Sequence, residues 1–385
     1  MTLAPNKKHI ASLVSYFESG IKLNTDKKIG LELEHFVVDK NGNSVSYFGT
    51  NSDSVYSDKA GVEKILQEMK PYFTEYEYEN DYLIGMSNAD AVISLEPGAQ
   101  LEISISPCAS AEEGFDLYKK VRLQIESVLE KRDYRLETFG YRKKEKAEDI
   151  DIIPKKRYKV FNELFVNDRA EGKKMMRGTA STQVSLDYFS ELDAIDKFQH
   201  FFALGPIWAL LFTNTPYFEG RENHEPLLRS DIWYHTDYQR AGIIKDVFDK
   251  GYSFEKYAAL VDTTPLLVTE SGNANGKSAA QVYPDRQLKK SEIEYIISNL
   301  FFDVRMKNFL ELRTVDSLPE KDLLEFMTSV YSTIYNEKKY DAVKNLLGQL
   351  DFERVKTAKL DIIKNGFSAK PYGKSVSQFR DLLLH

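Results

Sequence analysis

Apolar residues recur at helical spacing over residues 7–20, 60–70, 110–131, 190–212 and 239–249, and through most of the chain from Pro319 onward. Strand-like segments are shorter and more numerous: 28–38, 44–48, 72–79, 91–95, 100–106, 134–139, 180–188, 265–269 and 309–315. Asn41-Gly42 lies between the first two and is a hairpin signal. Strands broken irregularly by helices predict an α+β fold on a mainly antiparallel sheet, and the regular βαβ rhythm of a dinucleotide-binding fold is missing. The chain shows no 20- to 50-residue repeat and no Gly-, Ser- or Pro-rich linker. Residues 1–385 therefore read as one domain with a helical C-terminal part from about 319. The mixed-charge stretch from Arg142 to Lys159 reads as a loop or insertion within it.

Side chains alternate across a strand, so residues i and i+2 share a face. In Ile29–Glu34, Glu32 and Glu34 lie on one face and the leucines on the other. Gln100, Glu102 and Ser104 form a second polar row. Ser181, Gln183, Ser185 and Asp187 form a third, and Glu311 and Arg313 a fourth. A sheet face in water is the ordinary reading of any one row. These four rows carry no lysine, however, and they place glutamate where like charges repel. Hard cations bound by oxygen ligands would offset that repulsion, and Mg²⁺ completes its shell with water and substrate phosphates. The rows thus indicate a metal–nucleotide site without specifying a reaction.

Composition narrows the field. Tyr and Phe contribute 23 residues each and the hydrophobic fraction is 42%, enough for a sizeable core. A net charge of -7 without a basic stripe gives no support for nucleic acid as a partner. One cysteine, Cys108, excludes an intramolecular disulfide and a thiolate zinc site. The N-terminus lacks an apolar h-region, and the run around Phe201–Phe212 is too short to span a bilayer. A cytoplasmic protein with no membrane partner is expected. Gly272–Ser278 is one residue short of a P-loop and soon meets Pro284, so it reads as a loop. His35 points away from the Glu34 face, and His200 sits on an apolar helix; both read as structural.

Six ordered blocks resemble the glutamate–cysteine ligase family of plant and proteobacterial type. They are IGLELEH (29–35), SLEPGAQLEIS (94–104), IPKKRYKVF (153–161), MMRGTASTQVSLDY (175–188), LLRSDIWYHTDYQRAG (227–242) and VRMKNFLELRTVDS (304–317). The second block is the most specific. The resemblance implies a glutamine-synthetase-like catalytic fold. It also implies metal ligation by Glu32, Glu34, Glu96, Glu102, Gln183 and Glu311. Arg229 then holds the α-carboxylate of glutamate, with Trp233, Tyr234, Thr179 and Ser181 around the substrate. Lys155, Arg157 and Arg305 contact nucleotide phosphates, while Glu311 and Arg313 act at the phosphate in transfer. The plant branch's disulfide switch has no counterpart with Cys108 alone, and Arg177 stands one position earlier than in the plant pattern.

The implied reaction is ligation of the glutamate γ-carboxylate to the amine of L-cysteine, with ATP as co-substrate and Mg²⁺ or Mn²⁺ as the metal. It is the first step towards glutathione or a related thiol. A γ-glutamyl phosphate would activate the carboxylate, which explains the need for cations between two anions. The partners are small molecules, and the chain would act as a monomer or homodimer. Three alternatives are a ligase of the same fold using another amine or peptide, a hydrolase built on paired carboxylates, and a non-catalytic metal-binding or scaffold relative, which loss of an acidic position would favour although all five are intact. The hydrolase needs only two acids and leaves the arginines unexplained.

Overall fold

A computed structural model describes residues 4–49, 60–168 and 171–385. Its centre is a nine-stranded sheet. The strands are β1 (Ile29–Val38), β2 (Glu75–Glu79), β3 (Tyr82–Ser87), β4 (Ala91–Leu95), β5 (Leu101–Cys108), β6 (Arg135–Glu137) and β7 (Ser181–Leu186), followed by Val304–Met306 and Leu310–Asp316. From one edge the order is Val304–Met306, Leu310–Asp316, β7, β1, β5, β4, β3, β2, with β6 on the far end of β1. Every pairing in it is antiparallel. The expected α+β architecture is the one observed.

The alternation in β1 sets the two faces. Leu31 and Leu33 are fully buried on the apolar side, where α3 (Ala111–Leu129) and α5 (Glu191–Leu211) pack. Ser110 and Ser190 start these helices by accepting N–H bonds from Glu113 and Asp193, both at 3.1 Å. Helix α5 is apolar nearly all round because it is sandwiched between the Leu310–Asp316 strand and the helix Phe352–Asn365. Gly205 permits the close approach: its carbonyl accepts Thr314 Oγ1–H at 2.9 Å, and a Cβ there would sit 3.2 Å from the same atom. The C-terminal helices Glu320–Tyr335, Glu337–Leu347, Phe352–Asn365 and Val376–Leu384 share this core.

Some expected elements differ. Residues 239–249 form a two-residue parallel pairing, Ala241-Gly242 with Phe301-Phe302, then a 3-10 turn. Gly242 has φ +83°, which ends any helix there. Residues 44–48 supply one bridge, Ser44 to Val38, after a turn at Gly42. The end of the supposed 142–159 loop already belongs to helix α4 (Lys156–Asp168). Gly272-Asn273 pairs with Val268-Thr269 in a small hairpin.

Candidate functional site

The opposite, polar face of β1, β5 and β7 forms the floor of a cavity of about 240 Å³. Register places Glu34 opposite Glu102, Glu32 opposite Ser104, and Gln183 opposite Glu32. The rows expected to share a face therefore meet as one acidic surface. Glu34 is clamped by Ser181, whose N–H and Oγ–H both donate at 2.8 Å, and by Gln183 Nε2 at 3.2 Å. Glu102 accepts Ser94 Oγ–H at 3.1 Å and Ser104 Oγ–H at 3.2 Å. Glu96 comes from the β4–β5 turn, where Ala99 adopts φ +61° and Tyr158 OH lies 3.4 Å from its carboxylate.

Electrostatics divide the glutamates into two groups. Burial, then the neighbouring carboxylates, pushes Glu32 up to about 8 and Glu34 and Glu102 up to about 7. Glu96 is raised for the same reasons. Glu311 goes the other way. Burial alone would raise it, but Arg305, Lys307 and Arg313 outweigh that and hold it well below the usual range. Arg305 donates through Nε at 2.6 Å and Nη2 at 3.0 Å, and Lys307 and Arg313 approach within 3.4 and 3.3 Å. One carboxylate is thus charge-satisfied, while four others crowd one wall of the cavity and raise one another.

Among the described residues, no group of three or more His, Cys, Asp or Glu side chains is arranged to hold a metal ion unaided. The donors present are carboxylates, an amide and hydroxyls on one wall. That suits a hard dication that uses one or two carboxylates and takes its remaining ligands from water and phosphate.

Most of the expected residues come together. Glu32, Glu34, Glu96, Glu102, Gln183, Arg157, Thr179, Ser181, Arg229, Trp233, Arg305 and Arg313 all line the cavity. Arg229 projects from α6 (Leu228–Thr236), donating to the carbonyls of Thr314 at 3.1 Å and Arg313 at 3.2 Å, with its buried Nε unpartnered. Arg157 donates to Ser298, and its Nε is also unpartnered.

Three expected residues do not line it. Tyr234 follows Trp233 on α6 and is turned to His235, Tyr238 and the Lys359 ammonium. Consecutive helical residues point about 100° apart, so the pair cannot both face the cavity. Lys155 lies over the Tyr158 ring. Glu311 sits behind its three cations, fully buried. Gly272–Ser278 also lies outside the cavity lining. His35 is a buried core residue bonded to Leu101 O and Tyr118 OH and pushed by burial down to about 3; His200 bonds Asp196 O.

An apolar wall of Phe161, Met175, Met176 and Phe301 escaped the sequence reading. Phe161, Met175 and Met176 stood within the quoted blocks, but nothing in their spacing separates a cavity wall from a core.

The fold and site define an α+β protein with a carboxylate- and arginine-lined cavity suited to anions handled with a hard cation. Residues 28–373 match the Glutamate-cysteine ligase family 2 (GCS2), and the chain belongs to that family. It is 29% identical over 345 residues to the chloroplastic glutamate–cysteine ligase of Arabidopsis thaliana, covering 87% of this chain and 64% of that enzyme. It is 29% identical over 389 residues to the chloroplastic enzyme of Solanum lycopersicum, covering 97% and 70%. The chain thus spans about two thirds of these relatives. A solved glutamate–cysteine ligase from Francisella tularensis, in complex with AMP, is 13% identical, with 90% of this chain and 72% of that one covered and a TM-score of 0.48.

The relatives overturn the expected cytoplasmic location, since they are chloroplastic enzymes. The inference failed because transit peptides are amphipathic and need no apolar h-region. Among the described residues, no helix is long and apolar enough to cross a membrane.

Proposed function

We propose that this chain is an ATP-dependent ligase that joins the γ-carboxylate of glutamate to the amine of cysteine. The observation that carries the proposal is the single cavity in which four raised glutamates face Arg157, Arg229, Arg305 and Arg313. Family membership supplies the substrates. Glu32, Glu34, Glu96 and Glu102, with Gln183, would hold Mg²⁺ or Mn²⁺, and the metal when bound screens the charge of the ATP phosphates. Glu311, held among three cations, ties Arg305 and Arg313 to that acidic wall.

The arginines do the remaining electrostatic work. Arg229 pairs with the α-carboxylate of glutamate through the N–H it leaves free. Arg313 stabilises the phosphoryl group as it passes from ATP to the γ-carboxylate, giving a γ-glutamyl phosphate. The amine of cysteine attacks that acyl carbon, and phosphate leaves. Arg157 and Arg305 contact the nucleotide phosphates. Residues 1–385 act as one catalytic unit, a reading supported by the core that the C-terminal helices share with the sheet.

The test is ADP release with glutamate, Mg²⁺ and a panel of amines. Cysteine-dependent release is expected. Release with another amine alone reassigns the acceptor, and no amine-stimulated release refutes the ligase reading.

A further inference from the structure

Next to the acidic cavity is a narrow alcove of about 20 Å³, room for one small group such as an ammonium, that shares Arg229, Trp233, Phe301 and Arg313 with it and adds Phe302 and Asp303. Polar groups in its wall are incompletely used. Arg229 is 6% exposed, and its Nε–H has no partner; neither does the buried Nε1–H of Trp233. Asp303 places Oδ2 on Lys359 Nζ at 2.5 Å, and its Oδ1 has no partner among the described residues.

Asp303 is also fixed through its backbone. Its N–H donates to Gly242 O at 2.9 Å and its carbonyl accepts Arg313 N–H at 3.0 Å. Lys359 reaches it from the C-terminal helix Phe352–Asn365 and is 4% exposed. The lysine supplies a countercharge for the buried carboxylate and leaves one oxygen for something else. Trp233, Phe301 and Phe302 complete the lining, so the Asp303 oxygen is the acceptor there for an N–H donor.

A guanidinium with a free donor and a carboxylate with a free acceptor, in one small alcove, complement a zwitterion. We propose that Asp303 receives the α-ammonium of the glutamate whose α-carboxylate Arg229 holds, and that Lys359 is a positioning residue for Asp303. This rests on the ligase reading above. The acceptor amine is the less suitable occupant, because it must lose a proton to attack. The glutamate ammonium keeps its charge throughout, which suits a carboxylate oxygen that only has to accept a hydrogen bond. A substrate lacking the ammonium would forgo the bond to Asp303 Oδ1 and leave that oxygen without a partner in the filled site, a loss that discriminates against it.

The experiment compares L-glutamate with glutarate, which is the same dicarboxylate without the amino group. Wild-type protein should prefer glutamate by on the order of 100-fold or more in kcat/KM. Asp303→Asn should raise KM for glutamate about tenfold or more and shrink that preference, with KM for ATP unchanged. Lys359→Met should move KM for glutamate in the same direction, and Lys359→Arg should restore it. An unchanged preference in folded Asp303→Asn protein overturns the proposal. Calorimetric titration of wild-type protein with both ligands needs no variant, and equal affinity for the two overturns the proposal as well. Absence of glutamate-dependent ADP release in the wild type overturns the ligase reading instead, and the calorimetric preference still decides the alcove.

Discussion

Glu34 and Glu102 stand directly opposite one another across β1 and β5, in the middle of the sheet. Directly opposed like charges destabilise a strand pair, so this pair marks a place where function is retained against stability. Glu102→Gln removes one of the two charges and keeps the shape and the bonds to Ser94 and Ser104 available. In metal-free buffer at a pH above the raised values of about 7 of both carboxyls, the variant should be more stable than wild type by on the order of 1 kcal/mol, while ADP release is abolished. Melting curves with EDTA and with MgATP provide the check. Wild type should gain stability from MgATP by linkage and the variant should gain less. A variant less stable than wild type in EDTA would show that the Glu34–Glu102 repulsion is not a significant cost.

Arg305 and Glu311 show the converse arrangement. Glu311 is wholly buried, and the Arg305 fork is its best-aligned partner. Arg305→Met leaves Lys307 and Arg313 to balance the charge at 3.4 and 3.3 Å. Breaking a buried pair from one side is costly, and a loss of about 3 kcal/mol is expected. Arg305→Lys keeps the charge but not the bidentate geometry, so it should fall between the two. Urea midpoints at constant m would read both. Equal stability of all three proteins would mean that Arg305 does not hold Glu311.

Glu292 gives a pH signature outside the cavity lining. It accepts Arg286 N–H bonds at 2.9 and 2.6 Å and the Lys289 backbone N–H at 2.7 Å. The Arg286 bonds lead in holding its carboxyl down to about 2, against an ordinary 4.5. A depressed folded value means the unfolded chain binds the proton more readily. The stabilisation is therefore complete above pH 4.5 and is lost as pH falls towards 2. Arg286 is largely exposed, so solvent screens the pair and its contribution at neutral pH is small. The stability gap between wild type and Glu292→Gln should close across that acid window. A gap independent of pH would remove the carboxylate from the account.

The acidic floor was legible because period-two alternation is a local property: Glu32, Glu34, Glu102 and Gln183 are assigned to a face by their own strands. Which strands lie side by side is not local. The meeting of Glu34 with Glu102, or of Gln183 with Glu32, appears only in the register. Helix positions were harder. Trp233 and Tyr234 carry similar apolar signals, and only the rotation of α6 decides that Trp233 faces the cavity. Asp303 gave no signal at all. It lies between two short pairings, and its partner Lys359 is 56 residues away. Residues 239–249 have helical spacing, but the left-handed Gly242 and the pairing with Phe301-Phe302 override it.

Gly178 links the apolar wall of the cavity to β7. It ends the turn Lys174–Gly178, precedes Thr179, and lies three residues before Ser181, the clamp on Glu34. A Cβ at Gly178 would sit 2.4 Å from Cε2 and Cζ of Tyr141. Tyr141 has little room to yield. It is fully buried, its hydroxyl donates to Glu219 at 3.0 Å, and its ring packs on Phe218 with centroids 4.9 Å apart. The backbone is also held, because Gly178 O accepts Arg142 N–H at 2.8 Å. Gly178→Ala must therefore displace either the Tyr141 ring or the chain leading to Ser181. Overpacking of this kind costs about 1–3 kcal/mol, which a urea titration would detect as a lower midpoint at unchanged m. If the chain moves, Ser181 leaves Glu34 and activity falls beyond what the lost stability explains. If the ring moves, Tyr141→Phe added to Gly178→Ala should recover much of the stability, because the hydroxyl that pins the ring is gone. Wild-type stability and activity in the single variant would mean that neither contact is tight.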